Sequence, residues 1–124
     1  MIEIRIHGRG GQGNVAAAEL LSIAAFKDGK FAQAFPSFGA ERIGAPVQAF
    51  VRIDDKKIRT REEVRSPNYL IIQDYHLIGA VPVLDGIKPD GLIVINAEQK
   101  PEDLNLKTTA RVETIPATEI ALEI

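Results

Sequence analysis

Ile2-Glu3-Ile4-Arg5-Ile6-His7 runs directly into Gly8-Arg9-Gly10-Gly11-Gln12-Gly13 and then into Asn14-Val15-Ala16-Ala17-Ala18-Glu19-Leu20-Leu21, and this stretch decides the fold. Residues 2–7 alternate apolar and polar side chains with isoleucine on one side, the period-two signature of a strand with one buried face. From Asn14 to Phe26, Val15, Ala18, Leu20, Leu21, Ala24 and Ala25 recur at helical spacing, and Ala and Leu carry high helix propensity. Lys27-Asp28-Gly29 closes the helix, with Gly29 as its C′ glycine. Phe31 to Phe35 then reads as a strand. A strand, a glycine turn, a helix and a strand in that order point to an α/β sheet.

Downstream, Pro36 to Pro46 is a loop by its two prolines and its glycines Gly39 and Gly44, and it is long for a simple connection. Val47 to Ile53 reads as a strand, and Asp54-Asp55-Lys56-Lys57 as a polar hairpin turn into a short strand around Ile58. No helix can cross between strands joined so tightly, so an antiparallel pair attached to a parallel core is expected. Tyr69-Leu70-Ile71-Ile72 is a buried-type strand with Gln73-Asp74 at its carboxyl end. Tyr75 to Leu84 reads as a helix weakened by Gly79 and Pro82. Leu92 to Ile95, ending at Asn96, and Arg111 to Ile115 are further strands, and Pro116 to Ile124 opens a helix with proline in its first turn. The expected architecture is α/β, a three-layer Rossmann-like domain with a mixed, mainly parallel sheet. A single domain over residues 1–124 is expected. The last helix has no glycine, basic last turn or polar tail to close it, so a C-terminally truncated chain is expected as well.

Composition narrows the functions. The 124 residues carry 15 basic and 17 acidic side chains for a net charge of −2, which argues against a broad nucleic-acid footprint. They contain no cysteine, so thiolate chemistry, Cys-ligated zinc and Cys-ligated iron–sulfur clusters are excluded from them. No apolar run reaches the ~20 residues of a membrane span, and the N-terminus has no signal-like core. A cytoplasmic protein without nucleic-acid or membrane partners is expected.

Gly8-Arg9-Gly10-Gly11-Gln12-Gly13 satisfies G-x-G-x-x-G in the setting where that pattern has physical meaning, between a first strand and a first helix. Small residues let the backbone turn sharply, amides at the helix N-terminus face an anion, and Arg9 adds a charge. The acid that would bind a ribose at the end of the second strand is absent, since Phe35, Pro36 and Ser37 stand there, which argues against NAD. Gln12-Gly13-Asn14 replaces the Gly-Lys-Ser/Thr of a P-loop, so nucleotide hydrolysis is excluded. Two readings of the turn stay open: a phosphate-bearing ligand of another kind, or glycines that serve only tight strand-to-helix packing. His7 and His76 have no metal-ligand spacing, and His7 at a strand end reads as a hydrogen-bonding spacer. Asp54 and Asp55 beside Lys56 and Lys57 form a solvated face. The 36–46 loop, with Phe35, Phe38, Glu41 and Arg42, suits either a binding edge or a packed surface loop. In an open α/β sheet the glycine turn, this loop, Asp74 and Asn96 should meet beyond the carboxyl ends of the strands.

Ile6-His7-Gly8-Arg9-Gly10-Gly11-Gln12-Gly13 together with Ala34-Phe35-Pro36-Ser37-Phe38-Gly39-Ala40-Glu41-Arg42-Ile43-Gly44-Ala45-Pro46-Val47 resembles the gamma domain of 2-oxoacid:ferredoxin oxidoreductases, the pyruvate:ferredoxin oxidoreductase gamma type in particular. The resemblance continues through Asn68-Tyr69-Leu70 and Pro116-Ala117-Thr118-Glu119-Ile120-Ala121. Asn14 departs from the pattern, which often has an apolar residue there, and Ala40-Glu41-Arg42-Ile43 lacks a second arginine. The resemblance implies a multisubunit enzyme that decarboxylates a 2-oxoacid oxidatively, passes the acyl group to coenzyme A and the electrons to ferredoxin. It implies thiamine diphosphate and [4Fe–4S] clusters on partner subunits (alpha, beta and delta), and no catalytic or metal-ligating residue here. Gly8, Arg9, Gly10, Gly11, Gln12, Gly13 and Asn14 would then help hold coenzyme A, and Phe38, Glu41 and Arg42 would shape a cleft shared with a neighbour. A stand-alone nucleotide- or CoA-binding module and a purely structural assembly subunit are the competing readings.

Overall fold

A computed structural model describes residues 1–37 and 44–123. Six strands form one sheet: β1 (Ile2–Arg9), β2 (Phe31–Pro36), β3 (Pro46–Asp54), β4 (Tyr69–Ile72), β5 (Leu92–Asn96) and β6 (Arg111–Ile115), in the order β2-β3-β1-β4-β5-β6. β1, β4, β5 and β6 are parallel neighbours, whereas β3 pairs antiparallel with both β1 and β2. The mixed, mainly parallel sheet expected from the sequence is thus present. The antiparallel element is different from the one expected, however. Residues 57–61 form no strand around Ile58, and the chain instead returns from β2 beside β1 as β3. β3 has a buried run, Ala49-Phe50-Val51-Arg52, that needs a partner on each edge, and a hairpin through the charged Asp54–Lys57 segment would have supplied one edge only.

Helix α1 (Asn14–Lys27) connects β1 to β2 across the β1–β3 side of the sheet. The pleat of β1 decides what meets it. Ile4 and Ile6 pack with Ala18 of α1 and with Ala49 and Val51 of β3, while Leu21 closes the same cluster. On the opposite face, Leu70, Ile72, Ile93 and Ile95 pack against Leu77 and Val83 from the segment that follows β4. That segment was expected to be a helix over Tyr75 to Leu84. It forms only a 3-10 turn, Tyr75–Gly79, because Pro82 has no amide to continue the ladder and Gly79 favours other conformations. The chain makes two further short helices, α2 (Pro101–Leu104), which the sequence reading did not anticipate, and α3 (Ala117–Leu122).

Arg5 occupies the sheet face opposite α1 and is 6% exposed. Its Nε donates to His7 Nε2 at 2.9 Å. Nη1 donates to the Val64 and Arg65 carbonyls at 3.4 and 3.5 Å, and Nη2 to the Val83 and Asp85 carbonyls at 3.0 and 2.5 Å. All five donors of the guanidinium therefore have acceptors, the condition under which a buried cation is tolerated. Burial lowers the Arg5 pKa against the opposing charge of Asp85, but an arginine has ample range to stay ionised. Next to it, burial and then the Arg5 charge push His7 down to about 3, so His7 is neutral in the fold.

His7 therefore links stability to pH. Its folded pKa lies below the 6.5 of a free histidine, so between the two values the unfolded chain binds the extra proton and acid favours unfolding. Stability should be independent of this group above pH 7.5 and fall by about 1.5 kcal/mol between pH 6.5 and 5, above the range where carboxylates protonate. Urea denaturation across that window checks this, and His7→Gln should flatten the slope.

Candidate functional site at the carboxyl edge of the sheet

β1 leads through α1 to one side of itself, and β4 lies on its other side. The carboxyl ends of β1 and β4 thus form the point of the sheet where connections diverge, the usual position of a ligand crevice. The glycine turn sits there. A β-turn closes it, Gln12 N to Arg9 O at 3.0 Å, and the Gln12 side chain accepts from the Arg9 amide at 2.7 Å. Gly10 exchanges backbone hydrogen bonds with the far end of the 36–46 loop, donating to the Ala45 carbonyl and accepting from the Gly44 amide. Gly11 (φ 92°) and Gly13 (φ 81°) are left-handed, conformations that cost other residues free energy. Gly13 is also the N-cap of α1 and provides no side chain to cap the first-turn amides.

Gly8 has a separate role. A Cβ on it would lie 2.3 Å from Asn14 Oδ1, so β1 and the first turn of α1 approach too closely for any side chain. Asn14 is 4% exposed; its Nδ2 donates to the Val47 carbonyl at 3.1 Å and its Oδ1 accepts from Gln73 Nε2. The polar residue at this departure from the family pattern thus ties α1 to both β3 and the end of β4. Packing accounts for Gly8, whereas backbone conformation accounts for Gly11 and Gly13.

Arg9 extends over the turn. Its Nε lies 3.2 Å from Asp74 Oδ2, and Nη1 donates to the Gly44 carbonyl at 3.0 Å. Asp74 also accepts from the His76 amide at 3.1 Å and lies 2.9 Å from the His76 ring. Burial alone would push the Asp74 carboxyl up, but donation from His76, through ring and amide, and from Gln12 outweighs it and leaves its pKa below the ordinary value. Beyond Asp74 a cleft of about 660 Å³ opens, with Gln12, Tyr75, His76, Asn96, Thr118 and Glu119 among its walls. Asn96 Nδ2 donates to Thr118 Oγ1 at 2.9 Å and to the Gln73 carbonyl at 3.1 Å, which joins the ends of β4, β5 and α3. Glu119 shares a hydrogen bond with Glu98, which raises its pKa.

The glycine turn, Asp74 and Asn96 thus meet at one edge, as the α/β reading expected. Phe38, Glu41 and Arg42 lie outside the described residues. Gln73, Thr118 and Glu119 were not singled out as site residues by the sequence reading, although Thr118 and Glu119 lie in the 116–121 stretch that carries the resemblance, because only strand order brings them to the cleft. Among the described residues there is no group of three or more His, Cys, Asp or Glu that could hold a metal ion, and no helix is long and apolar enough to cross a membrane.

The chain is an α/β domain with a glycine turn at the divergence point of its sheet. The chain belongs to the pyruvate ferredoxin/flavodoxin oxidoreductase family, whose model matches residues 3–124. Its relatives are gamma-type chains. It is 59% identical over its whole length to the pyruvate synthase subunit PorC of Methanosarcina barkeri, covering 68% of that protein. It is 49% identical to the pyruvate/ketoisovalerate oxidoreductases common subunit gamma of Thermococcus kodakarensis, with 100% of this chain and 69% of that one aligned. The crystal structure of pyruvate oxidoreductase subunit PORC from Thermotoga maritima superimposes with a TM-score of 0.84 at 38% identity, covering 98% of this chain and 65% of that one. The chain therefore spans about two thirds of the length of these relatives.

Gly8→Ala should destabilise the fold by about 2 kcal/mol or more through overpacking. The loss should be partly relieved in Gly8→Ala/Asn14→Ala, and a double-mutant cycle in urea showing no coupling between the two positions would contradict the contact.

Proposed function

We propose that this chain acts as the gamma subunit of a cytoplasmic, multisubunit pyruvate (2-oxoacid):ferredoxin oxidoreductase, packing on the catalytic subunits and helping to hold coenzyme A, the acyl acceptor. Thiamine diphosphate and the [4Fe–4S] clusters belong to the partner subunits in this reading, and ferredoxin takes electrons from the complex. Names of the relatives support the assignment to pyruvate synthase-type complexes. A gamma subunit described as common to pyruvate and ketoisovalerate enzymes suits a chain that does not choose the 2-oxoacid.

The observation that carries the coenzyme A assignment is the first turn of α1, uncapped by a side chain, at the divergence point of the sheet. Its amides and Arg9 would receive phosphate oxygens. The acids Asp74, Glu98 and Glu119 line the adjoining cleft, which disfavours phosphate there and suits the uncharged arm of the ligand instead. The contribution of this chain to rate is then orientation of the acceptor thiol rather than bond chemistry. Leu20, Ile23 and Phe26 of α1 are 67%, 52% and 75% exposed, an apolar stripe suited to burial against a partner subunit.

Arg9→Ala in the assembled enzyme should raise the KM for coenzyme A about tenfold, the loss of one charge-assisted contact, and spare decarboxylation at the thiamine centre. Unchanged dependence on coenzyme A would favour the purely structural reading. Phe26→Glu should reduce co-purification with the partner subunits at unchanged circular dichroism. Full recovery of the complex would remove α1 from the interface.

A further inference from the structure

A second pocket, of about 120 Å³, lies on the sheet face opposite α1, with His7, Ser37, Val47, Gln48, Leu77 and Val81 in its walls. It is separate from the cleft at Asp74. His7 is 5% exposed, and its Nε2 accepts from Arg5. A neutral imidazole that accepts on one nitrogen carries its proton on the other, so Nδ1 is an N–H donor. Among the described residues nothing accepts from Nδ1, and no buried side-chain nitrogen or oxygen is left sealed without a partner, so Nδ1 opens onto the pocket.

The charge behind that donor has a sign. Arg5 hydrogen-bonds only to His7 and to four carbonyl oxygens, so the Arg5 guanidinium donates into His7 without a carboxylate among its hydrogen-bond partners. Chained hydrogen bonds polarise one another, which strengthens Nδ1–H as a donor to an anion. Ser37 and Gln48 add hydrogen-bonding groups to the same pocket, while Leu77 and Val81 give it an apolar wall. The volume is that of roughly four waters, at about 30 Å³ each.

We propose that this pocket binds one small carboxylate, with an oxygen on His7 Nδ1–H and the aliphatic end against Leu77 and Val81. The carboxylate comes either from a free monocarboxylate or from an Asp or Glu side chain of a partner subunit.

Acetate is the probe, titrated into the isotope-labelled 124-residue chain and followed by NMR, with chloride at equal ionic strength as control. His7 should show the Nδ1–H tautomer, with saturable shifts at Nδ1–H and at the methyls of Leu77 and Val81 that chloride does not cause. His7→Glu keeps an acceptor for Arg5 while removing the N–H donor, and should weaken binding at least tenfold. Should that variant not fold, Val81→Phe, which fills the pocket from its wall and leaves His7 and Arg5 in place, should abolish the response. Adding the partner subunits separates the sources: loss of the acetate response identifies a partner carboxylate as occupant, and its retention identifies a free acid. An Nε2–H tautomer, shifts that stay linear or are matched by chloride, or a response unchanged by Val81→Phe would overturn the proposal.

Discussion

The buried guanidinium of Arg5 is the constraint on which the rest of the fold depends. It lies in the strand at the centre of the sheet order and uses every donor, reaching the chain at residues 64–65 before β4 and at 83–85 after it. These segments have little regular structure to hold them, so one side chain sets how they pass over the sheet. Leu77 and Val83, carried by the second segment, then complete the core over Leu70, Ile72, Ile93 and Ile95. Removing the cation would leave the buried Val64 and Val83 carbonyls without their donor, which is why such a group is destabilising to lose even where its net contribution is small.

A second polar layer at the carboxyl edge follows from the same sheet order. Asn14 holds α1 to β3 and to Gln73, Asp74 draws Arg9, Gln12 and His76 together, and Asn96 ties β4 to α3. Asn14 is buried and Asp74 and Asn96 are half-buried, so the hydrogen bonds join exposed groups such as Gln12 and His76 to the ends of the strands.

Much of this was legible in the sequence where the pattern was local. The alternation at Ile2 to His7, the apolar runs at Tyr69 to Ile72 and Leu92 to Ile95, and the Ala- and Leu-rich segment after Asn14 each match an observed element. The glycine turn, Asp74 and Asn96 were placed together correctly, because the ends of parallel strands share an edge. The failures arose where local propensity competed with long-range pairing. A polar turn at Asp54 to Lys57 resembles a hairpin, yet β3 satisfies both its edges with β1 and β2. Between Tyr75 and Leu84, apolar spacing suggested a helix, but Pro82 and Gly79 leave a single 3-10 turn whose inward residues still fill the core.

The sequence by itself determined the α/β class, the position of the glycine turn and the lack of any thiol in these 124 residues, because these depend on residue type and on spacing within one or two elements. Only the tertiary structure decided that Arg5 and His7 form a buried pair, that Gly8 yields its side-chain space to Asn14, and that Arg9 faces Asp74. Polar side chains in an alternating strand ordinarily face solvent. Here segments remote in sequence cover the second face of β1, and the free energy of a buried polar group depends on partners that no local pattern encodes.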